Sequence, residues 1–461
     1  MTAYTAAPGP NNTWRVTAPP MDPADTEPTS AADCRITVRK AEQIVAEAPG
    51  SLNIEGLPRG NRPTSRPFQI VPPQFEGKSH VVGLPAKPDQ VVFGGGGRFV
   101  VANIPDKQVI AVVDVCRAQI VKYISVKGRA LCAAGSHKLI IVLPDQRRLE
   151  RWDLATFERE QTAPIGPNLD IHDAAMGSAS DGPVLLVSGT RQPKPKFALL
   201  MVDINRLVEV PMAGLKGEAW KIDSGEFALR ASSDGRTFTG HRPHHEPHPV
   251  YVLRLEPKAM TSIVLKDLSL VPSADGSLLF SPMAIYDAQG AAIKRVVSGR
   301  FSTAENAAYF LHTEGDKVAF CLTTTRQVVG TANIGGWSQH SYVPRADLVV
   351  SMGSHFAQIN LWRVDLAEQI QKSEGNVLFI ESVPPRSVRR NQPFAYQLSA
   401  RSKSGMVRYA LVDGPKGMTI SDTGLLEWTA PGYATPPADV TVSATDSSGQ
   451  TVKQTFTVLV E

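Results

Sequence analysis

The stretch Ser273-Ala274-Asp275-Gly276-Ser277-Leu278-Leu279-Phe280-Ser281-Pro282 decides the fold, because versions of it recur about every forty residues along the chain. Each version is a short polar corner followed by an apolar run. Asp-Gly, Ser-Asp and Asn at the corners supply the positive-φ positions that a tight turn between two strands needs. The apolar run that follows predicts a buried strand. The stretch is therefore one unit of a repeated β-structure.

Seven copies of this unit can be aligned along the chain. They begin at Gly94, Gly135, Ser180, Ser233, Ser273, Glu305 and Arg345. In most units the next strand runs apolar into an aspartate, as in Ile110 to Asp114, Leu149 to Asp153, Leu199 to Asp203, Ala284 to Asp287 and Leu361 to Asp365. Continuous apolar runs indicate strands covered on both faces, as in four-stranded sheets stacked around an axis. We therefore predict an all-β chain with a seven-bladed β-propeller over residues 76–372.

The ends of the repeat region suggest how the ring closes. Ser79 to Leu84 has the pattern of an outer strand and precedes the first complete unit. We predict that it pairs with the strands of the seventh unit, between Trp337 and Asp365. Such pairing leaves no free sheet edge between the first and last blades.

The flanking segments differ from the repeats. Residues 1–75 are rich in proline, which predicts a disordered tail or linker, with a short helix at most over Arg35 to Ala48. Residues 377–461 contain short strands separated by polar turns, with clear alternation in Val440 to Ala444 and Thr455 to Val460. This pattern predicts a C-terminal Ig-like β-sandwich.

The composition places few limits on partners. With 48 Lys and Arg against 44 Asp and Glu, the net charge of +4 gives no reason to expect nucleic-acid binding. The four cysteines lack metal-ligand spacing, so free thiols are expected. No signal-like segment or membrane span is visible, which favours the cytoplasm; a missing N-terminal segment would leave the cell envelope open. We expect a monomer or a part of a larger polypeptide.

One local cluster could bind a metal. His241, His244, His245 and His248 lie within eight residues of one another, together with Glu246. Imidazole and carboxylate ligands of this kind suit zinc, nickel or copper. The alternative is a polar loop, stiffened by proline, that joins two strands of the fourth blade. Beyond this cluster no catalytic residue and no cofactor is predicted.

Two other features have a functional and a structural interpretation. Gly94 to Gly97 lacks the spacing of a phosphate-binding loop and leads into a strand, so a tight turn is favoured. A basic cluster near the start of the sandwich could face an acidic partner or simply be a solvated surface. It comprises Arg386, Arg389, Arg390, Arg401, Lys403 and Arg408.

The repeats, with Trp152-Asp153 closing the second unit, resemble the WD-repeat and YVTN-like propellers of bacteria. The tail is similar to bacterial Ig-like modules related to dystroglycan-type cadherin domains, through Pro393 to Tyr396, Gly414 to Trp428 and Val442 to Asp446. These resemblances imply a non-catalytic interaction surface. Calcium occurs in cadherin relatives and could bind at the Ig-like domain, although the acidic clusters between domains that they use are missing here.

The sequence leaves three functions open for this protein. The first is a scaffold that binds a protein or peptide on the propeller face, with the Ig-like domain as spacer or second contact. The second is a propeller hydrolase or lactonase with a metal in its central channel. The third is carbohydrate or cell-surface adhesion through the sandwich.

Overall fold

The structure is a computed structural model that divides into two compact units, Met1–Arg66 and Pro67–Glu461. In the first unit it describes only the backbone of four strands. In the second it describes all residues except 191–196, 213–214, 218–219, 221, 223–226, 243–245, 257–258, 283, 296–298, 335–338, 353–355, 374, 386, 434 and 461.

The first unit contains two antiparallel strand pairs. Thr5–Pro8 pairs with Trp14–Thr17, and Ala32–Lys40 pairs with Gln43–Leu52. The short helix expected over Arg35 to Ala48 is therefore wrong: apolar and polar residues alternate from Arg35 to Arg39, which is the period of a strand. The other residues of the predicted disordered tail up to residue 66 lie outside the described residues.

Seven consecutive sheets follow in the second unit, and we call them blades 1 to 7. Blade 1 consists of Gln90–Gly94, Phe99–Ile104, Val109–Asp114 and Gln119–Ser125. Blade 2 consists of Leu131–Ala134, Lys138–Leu143, Arg148–Asp153 and Arg159–Pro164. Blade 3 consists of Leu169–Ala175, Val184–Thr190, Phe197–Asp203 and Val208–Val210.

The remaining blades repeat this antiparallel order. Blade 4 consists of Ala228–Ala231, Thr237–His241, His248–Glu256 and Ala259–Asp267. Blade 5 consists of Val271–Pro272, Leu278–Phe280, Ala284–Asp287 and Ala292–Arg295. Blade 6 consists of Arg300–Thr303, Tyr309–Glu314, Lys317–Leu322 and Val328–Asn333. Blade 7 consists of Gln339–Val343, Leu348–Met352, Gln358–Arg363 and Ser79–Gly83.

Blade 4 departs from the expected four strands. The short strand Lys216–Gly217 pairs in parallel with Ala259–Asp267 at its outer edge. This strand comes from the long connection between blades 3 and 4. The extra strand covers an edge that would otherwise be exposed.

The closing strand, Ser79–Gly83, confirms the predicted closure. It pairs antiparallel with Gln358–Arg363, and Val82 lies opposite Ile359. Val82 is only 6 % exposed and packs in the apolar cluster shared by blades 7 and 1. The fourth strand of the last blade is therefore supplied from before the first blade.

Apolar clusters close the ring. In the described residues, each pair of neighbouring blades from 1 to 7 encloses its own buried cluster. A seventh cluster joins blade 7 to blade 1, where Val350 and Val100 are both fully buried. Seven blades with seven interfaces form a closed β-propeller, because an open stack of seven would have only six.

The turn between the first and second strands of blade 5, which begins at Ser273, shows why the repeated stretch has its sequence. Ser273 Oγ donates to Asp275 Oδ1 at 2.8 Å and accepts from Leu278 N at 3.0 Å. Blade 4 repeats this bonding through Ser232 and Asp234. Gly276 has a φ of 68°, and a Cβ there would lie 2.0 Å from Thr237 Oγ1 of blade 4. Glycine is therefore needed both for the turn and for close blade packing.

The aspartates at the strand ends also form turns. The Oδ1 atoms of Asp114, Asp153, Asp203 and Asp287 each accept two backbone N–H groups from the residues that follow. Asp365 instead accepts from Glu368 N at 2.8 Å and begins helix α1, Leu366–Lys372. The recurrent aspartate is thus a turn residue.

The predicted disordered tail over residues 1–75 is wrong for residues 67–75, which pack on the propeller. Phe68 contacts Phe99 edge to face, with ring centroids 5.0 Å apart. Arg363 donates from Nη2 to Pro73 O at 2.7 Å and stacks over Phe75 at 4.2 Å. Aromatic anchors between the prolines give this segment enough buried surface to be ordered.

The C-terminal domain is a β-sandwich. Its strands are Leu378–Ile380, Ser387–Val388, Pro393–Gln397, Ala400–Ser402, Val407–Asp413, Thr419–Ile420, Leu425–Thr429, Ala438–Asp446 and Thr451–Val460. Phe394, Leu426 and Val442 are among the residues of its core. In the part of the chain that is described, no helix combines the length and apolar character that a membrane span requires.

Candidate functional site

The turns between the first and second strands of the blades, here called the inner turns, are linked to one another by backbone hydrogen bonds. These bonds are Gly95 N to Gly135 O, Ser136 N to Ser180 O, Ala179 N to Ser233 O and Asp234 N to Ala274 O, at 2.8–3.0 Å. Gly96 N also donates to Ser178 O at 2.9 Å, which joins blade 1 directly to blade 3. Because this bond connects blades 1 and 3, which are not neighbours in the ring, the inner turns must converge on the axis of the ring.

Glu305 of blade 6 lies at the centre of this convergence. Ser178 Oγ of blade 3 donates to its Oε2 at 2.5 Å, and Ser341 Oγ of blade 7 lies 3.2 Å from its Oε1. Ser233 Oγ of blade 4 is 3.5 Å from Oε2. In blade 1, a Cβ on Gly97 would lie 2.8 Å from Glu305 Cγ. One side chain thus contacts four other blades.

The environment of Glu305 favours its neutral form. Protein surrounds the carboxyl group, although part of the residue remains accessible. Burial raises the pKa of Glu305, while the hydrogen bonds from Ser178, Ser341 and Ser233 act in the opposite direction. No cation of the described residues pairs with it. A carboxyl group in this setting can link blades as an acid or as a hydrogen-bonded carboxylate.

A second polar cluster at the inner turns joins blades 2 and 3. Ser136 Oγ lies 2.9 Å from His137 Nδ1 and donates to Asp181 Oδ1. The same Nδ1 is 3.7 Å from Asp181 Oδ1. A nucleophilic triad needs serine and aspartate on opposite ring nitrogens, so this cluster lacks that geometry. Sequence reasoning missed it because its residues come from two blades.

The histidine-rich stretch lies where the second and third strands of blade 4 are joined. His241 ends the second strand, His248 begins the third, and their ring centroids are 6.3 Å apart. Two imidazoles on one zinc ion have ring centres about 5 Å apart, so these rings would have to approach. His244 and His245 lie outside the described residues. The metal site therefore stays a hypothesis.

His172, His241 and His340 lie in three different blades. Burial lowers the pKa of His241 to about 4, and that of His340 likewise. His340 is buried, with Nδ1 2.8 Å from Ser351 Oγ of its own blade. The backbone oxygen of His172 accepts from Arg129 Nη2 at 2.8 Å. Among the described residues, no three His, Cys, Asp or Glu side chains are grouped so that they could hold a metal ion.

The basic cluster of the sandwich separates into two groups. Arg401 Nε donates to Glu381 Oε2 at 2.6 Å, and Lys403 Nζ donates to Ser373 O. Arg389, Arg390 and Arg408 are exposed, and Arg386 lies outside the described residues. The first group thus contributes to the junction between propeller and sandwich, and the second is exposed on the sandwich, where both interpretations stay predictions.

This junction is packed. The rings of Tyr309 in blade 6 and Phe379 after helix α1 meet edge to face, 5.2 Å apart. Both belong to a buried cluster that also contains Leu366 and Ile370 of helix α1. Asn306 Nδ2 donates to Glu381 O at 3.3 Å. The sandwich is therefore attached to blades 6 and 7 through a shared core as well as through the chain.

Comparison with known proteins finds a family match in the C-terminal domain. Residues 377–461 match the family model "Putative Ig domain". This match confirms an Ig-like domain and leaves its likeness to cadherins a prediction. No curated protein matches the chain.

Three solved structures are similar to part of this chain. Hydrazine synthase of Kuenenia stuttgartiensis is 11% identical, with 61% of this chain and 97% of that chain covered and a TM-score of 0.42. The Cps50 (Swd1) β-propeller domain of Myceliophteria thermophila is 10% identical, with 62% and 100% covered and a TM-score of 0.38. A chain of the mitotic checkpoint complex is 14% identical, with 68% and 98% covered and a TM-score of 0.42.

Proposed function

We propose that this protein is a non-catalytic interaction scaffold in which a face of the propeller binds a protein or peptide. The sandwich, attached to blades 6 and 7, serves as a spacer or as a second contact. A closed ring with packed interfaces presents its turns in fixed positions, which lowers the ordering cost of binding.

The observation that supports this proposal most is the bonding of Glu305. Serine hydroxyls from blades 3, 4 and 7 surround this carboxyl group. It therefore acts as an internal link of the ring. A metal-dependent hydrolase would instead need several ligands that converge around an open coordination position.

Two pairs of charge-reversed variants test the proposal, with a peptide selected from a random library on the full chain as the probe. Asp181→Lys with Arg345→Glu changes exposed positions at the inner turns. Lys107→Glu with Asp316→Lys changes exposed turns at the opposite end of the blades. Both double variants keep the net charge.

We expect one double variant to weaken peptide binding by about tenfold or more and the other to leave it unchanged. Addition of a chelator should have no effect on binding. Equal binding by both variants would contradict a propeller-face site. One equivalent of tightly bound metal in the purified protein would favour the hydrolase.

A further inference from the structure

An open cleft of about 410 Å³ lies where helix α1 meets the sandwich. One wall is formed by Ala367, Ile370 and Gln371 of the helix, and the other by Ala400–Ser402 and the start of Val407–Asp413. Domain junctions commonly provide ligand sites, and this volume is within the usual range for them. The cleft can accommodate a peptide side chain and its backbone.

The polar groups of this cleft are mainly donors. Arg401 Nε donates to Glu381 Oε2 at 2.6 Å, and this ion pair orients the guanidinium through Nε, not through its Nη groups. Tyr409 OH accepts from Ala400 N at 3.1 Å, so its own proton remains to be donated. Ser402 is engaged, because its hydroxyl donates to Asp446 Oδ2 at 2.7 Å.

The charge and polarity of the walls define the ligand. Among the described residues that line the cleft there is no Asp or Glu, and Arg401 is the one cation of that described set. Ala367, Ile370 and Val407 provide apolar surface beside the guanidinium. A ligand that fits has a carboxylate on a short aliphatic stem, because arginine binds carboxylates through paired N–H donors.

We propose that this cleft binds the glutamate side chain of an acidic peptide, with its carboxylate on Arg401 and Tyr409 and its methylene groups against the helix. The inference deepens the proposed function, since it gives the second contact of the scaffold a chemical class of partner. Failure of either proposal can be recognised separately, because the cleft is tested with a short peptide that needs no propeller face.

The test uses the full chain labelled with ¹⁵N and two acetylated, amidated tripeptides, Ala-Glu-Ala and Ala-Gln-Ala. The glutamate peptide should shift the amide signals of Ala400, Gly405 and Val407 with an affinity about tenfold higher than that of the glutamine peptide. The difference should shrink as salt is added. Equal affinities, or shifts outside the cleft only, would overturn the proposal.

Variants locate the contact. Arg401→Gln should abolish the preference for glutamate, and Arg401→Lys should retain part of it. Arg389→Gln, which removes an exposed charge elsewhere on the sandwich, should change nothing. If Arg401→Gln disturbs folding by leaving Glu381 without its partner, the two peptides compared on the unchanged protein still decide the question. Preference that survives in a folded Arg401→Gln protein would refute the site.

Discussion

Replacing Glu305 with glutamine should change the stability of the ring in a pH-dependent way: relative to wild type, the variant should be slightly less stable at acidic pH and should gain stability as the pH rises. Burial raises the pKa of the Glu305 carboxyl in the folded protein. The folded state therefore binds its proton more tightly than the unfolded chain does. The contribution of Glu305 to stability is fully present below the unfolded pKa and is lost as pH rises through the folded pKa. Glutamine imitates the neutral acid and does not titrate.

The size of the effect follows from the serine contacts. Glu305→Ala removes the partners of Ser178 at 2.5 Å and Ser341 at 3.2 Å. Each hydroxyl left without a partner costs about 1–3 kcal/mol, and water reaching the site reduces that cost, so we expect about 2–4 kcal/mol in total. Glutamine keeps one acceptor and adds a donor, so Glu305→Gln should cost less than about 1 kcal/mol at low pH.

The assay is denaturant unfolding of wild type, Glu305→Gln and Glu305→Ala at pH 5, 6.5 and 8. At each pH the unfolding free energy of wild type is subtracted from that of each variant. His241 and His340 have lowered pKa values near 4, so their contribution falls as pH drops below the unfolded value of 6.5. That loss is common to all three proteins and cancels in the difference. The predicted role of Glu305 is refuted if Glu305→Gln lowers the unfolding free energy as much as Glu305→Ala does. It is also refuted if the unfolding free energy of Glu305→Gln does not rise relative to that of wild type as the pH increases.

Three further predictions test the fold and the histidine cluster. A chain that begins at Pro67 should keep its melting temperature, whereas one that begins at Asp89 lacks the closing strand and should lose several kcal/mol of unfolding free energy. This loss is about what the burial of two aliphatic side chains and the pairing of their strand contribute, and equal stability of the two chains would contradict the closure. Gly276→Ala should lower the unfolding free energy by more than about 2 kcal/mol because its Cβ would overlap blade 4, whereas the control Gly315→Ala, whose Cβ would have nothing within 4 Å, should lower it by about 1 kcal/mol. Similar losses for both variants in thermal unfolding would show that backbone strain alone matters. Elemental analysis after nickel loading and dialysis should find well under one equivalent of metal, because the rings of His241 and His248 would have to move closer together to share an ion. A full equivalent that His241→Ala removes would establish the site instead.

Much of the fold could be predicted because its determinants are local. The serine and aspartate of the turn at Ser273 bond within five residues of each other, so the same short pattern produces the same turn in blade 4. The closing strand was recognisable because an extra strand pattern preceded the first complete unit. Residues 67–75 were assigned to the tail because proline content alone does not reveal the packing of Phe68 and Phe75 on the propeller.

The central contacts could not be predicted, because they depend on side chains far apart in the chain. Glu305 and Ser178 are 127 residues apart, and the ring closure that brings them together involves every blade between and around them. One local signal was nevertheless present: at the corner of the sixth unit, Glu305 and Asn306 stand where the third and fourth units have Ser-Asp-Gly and the first has glycine. Asn306 Oδ1 accepts from Ala308 N at 3.1 Å and forms the turn, while the side chain of Glu305 beside it contacts other blades. In this propeller, a corner that departs from the Ser-Asp-Gly pattern thus supplies the carboxyl group that contacts four other blades.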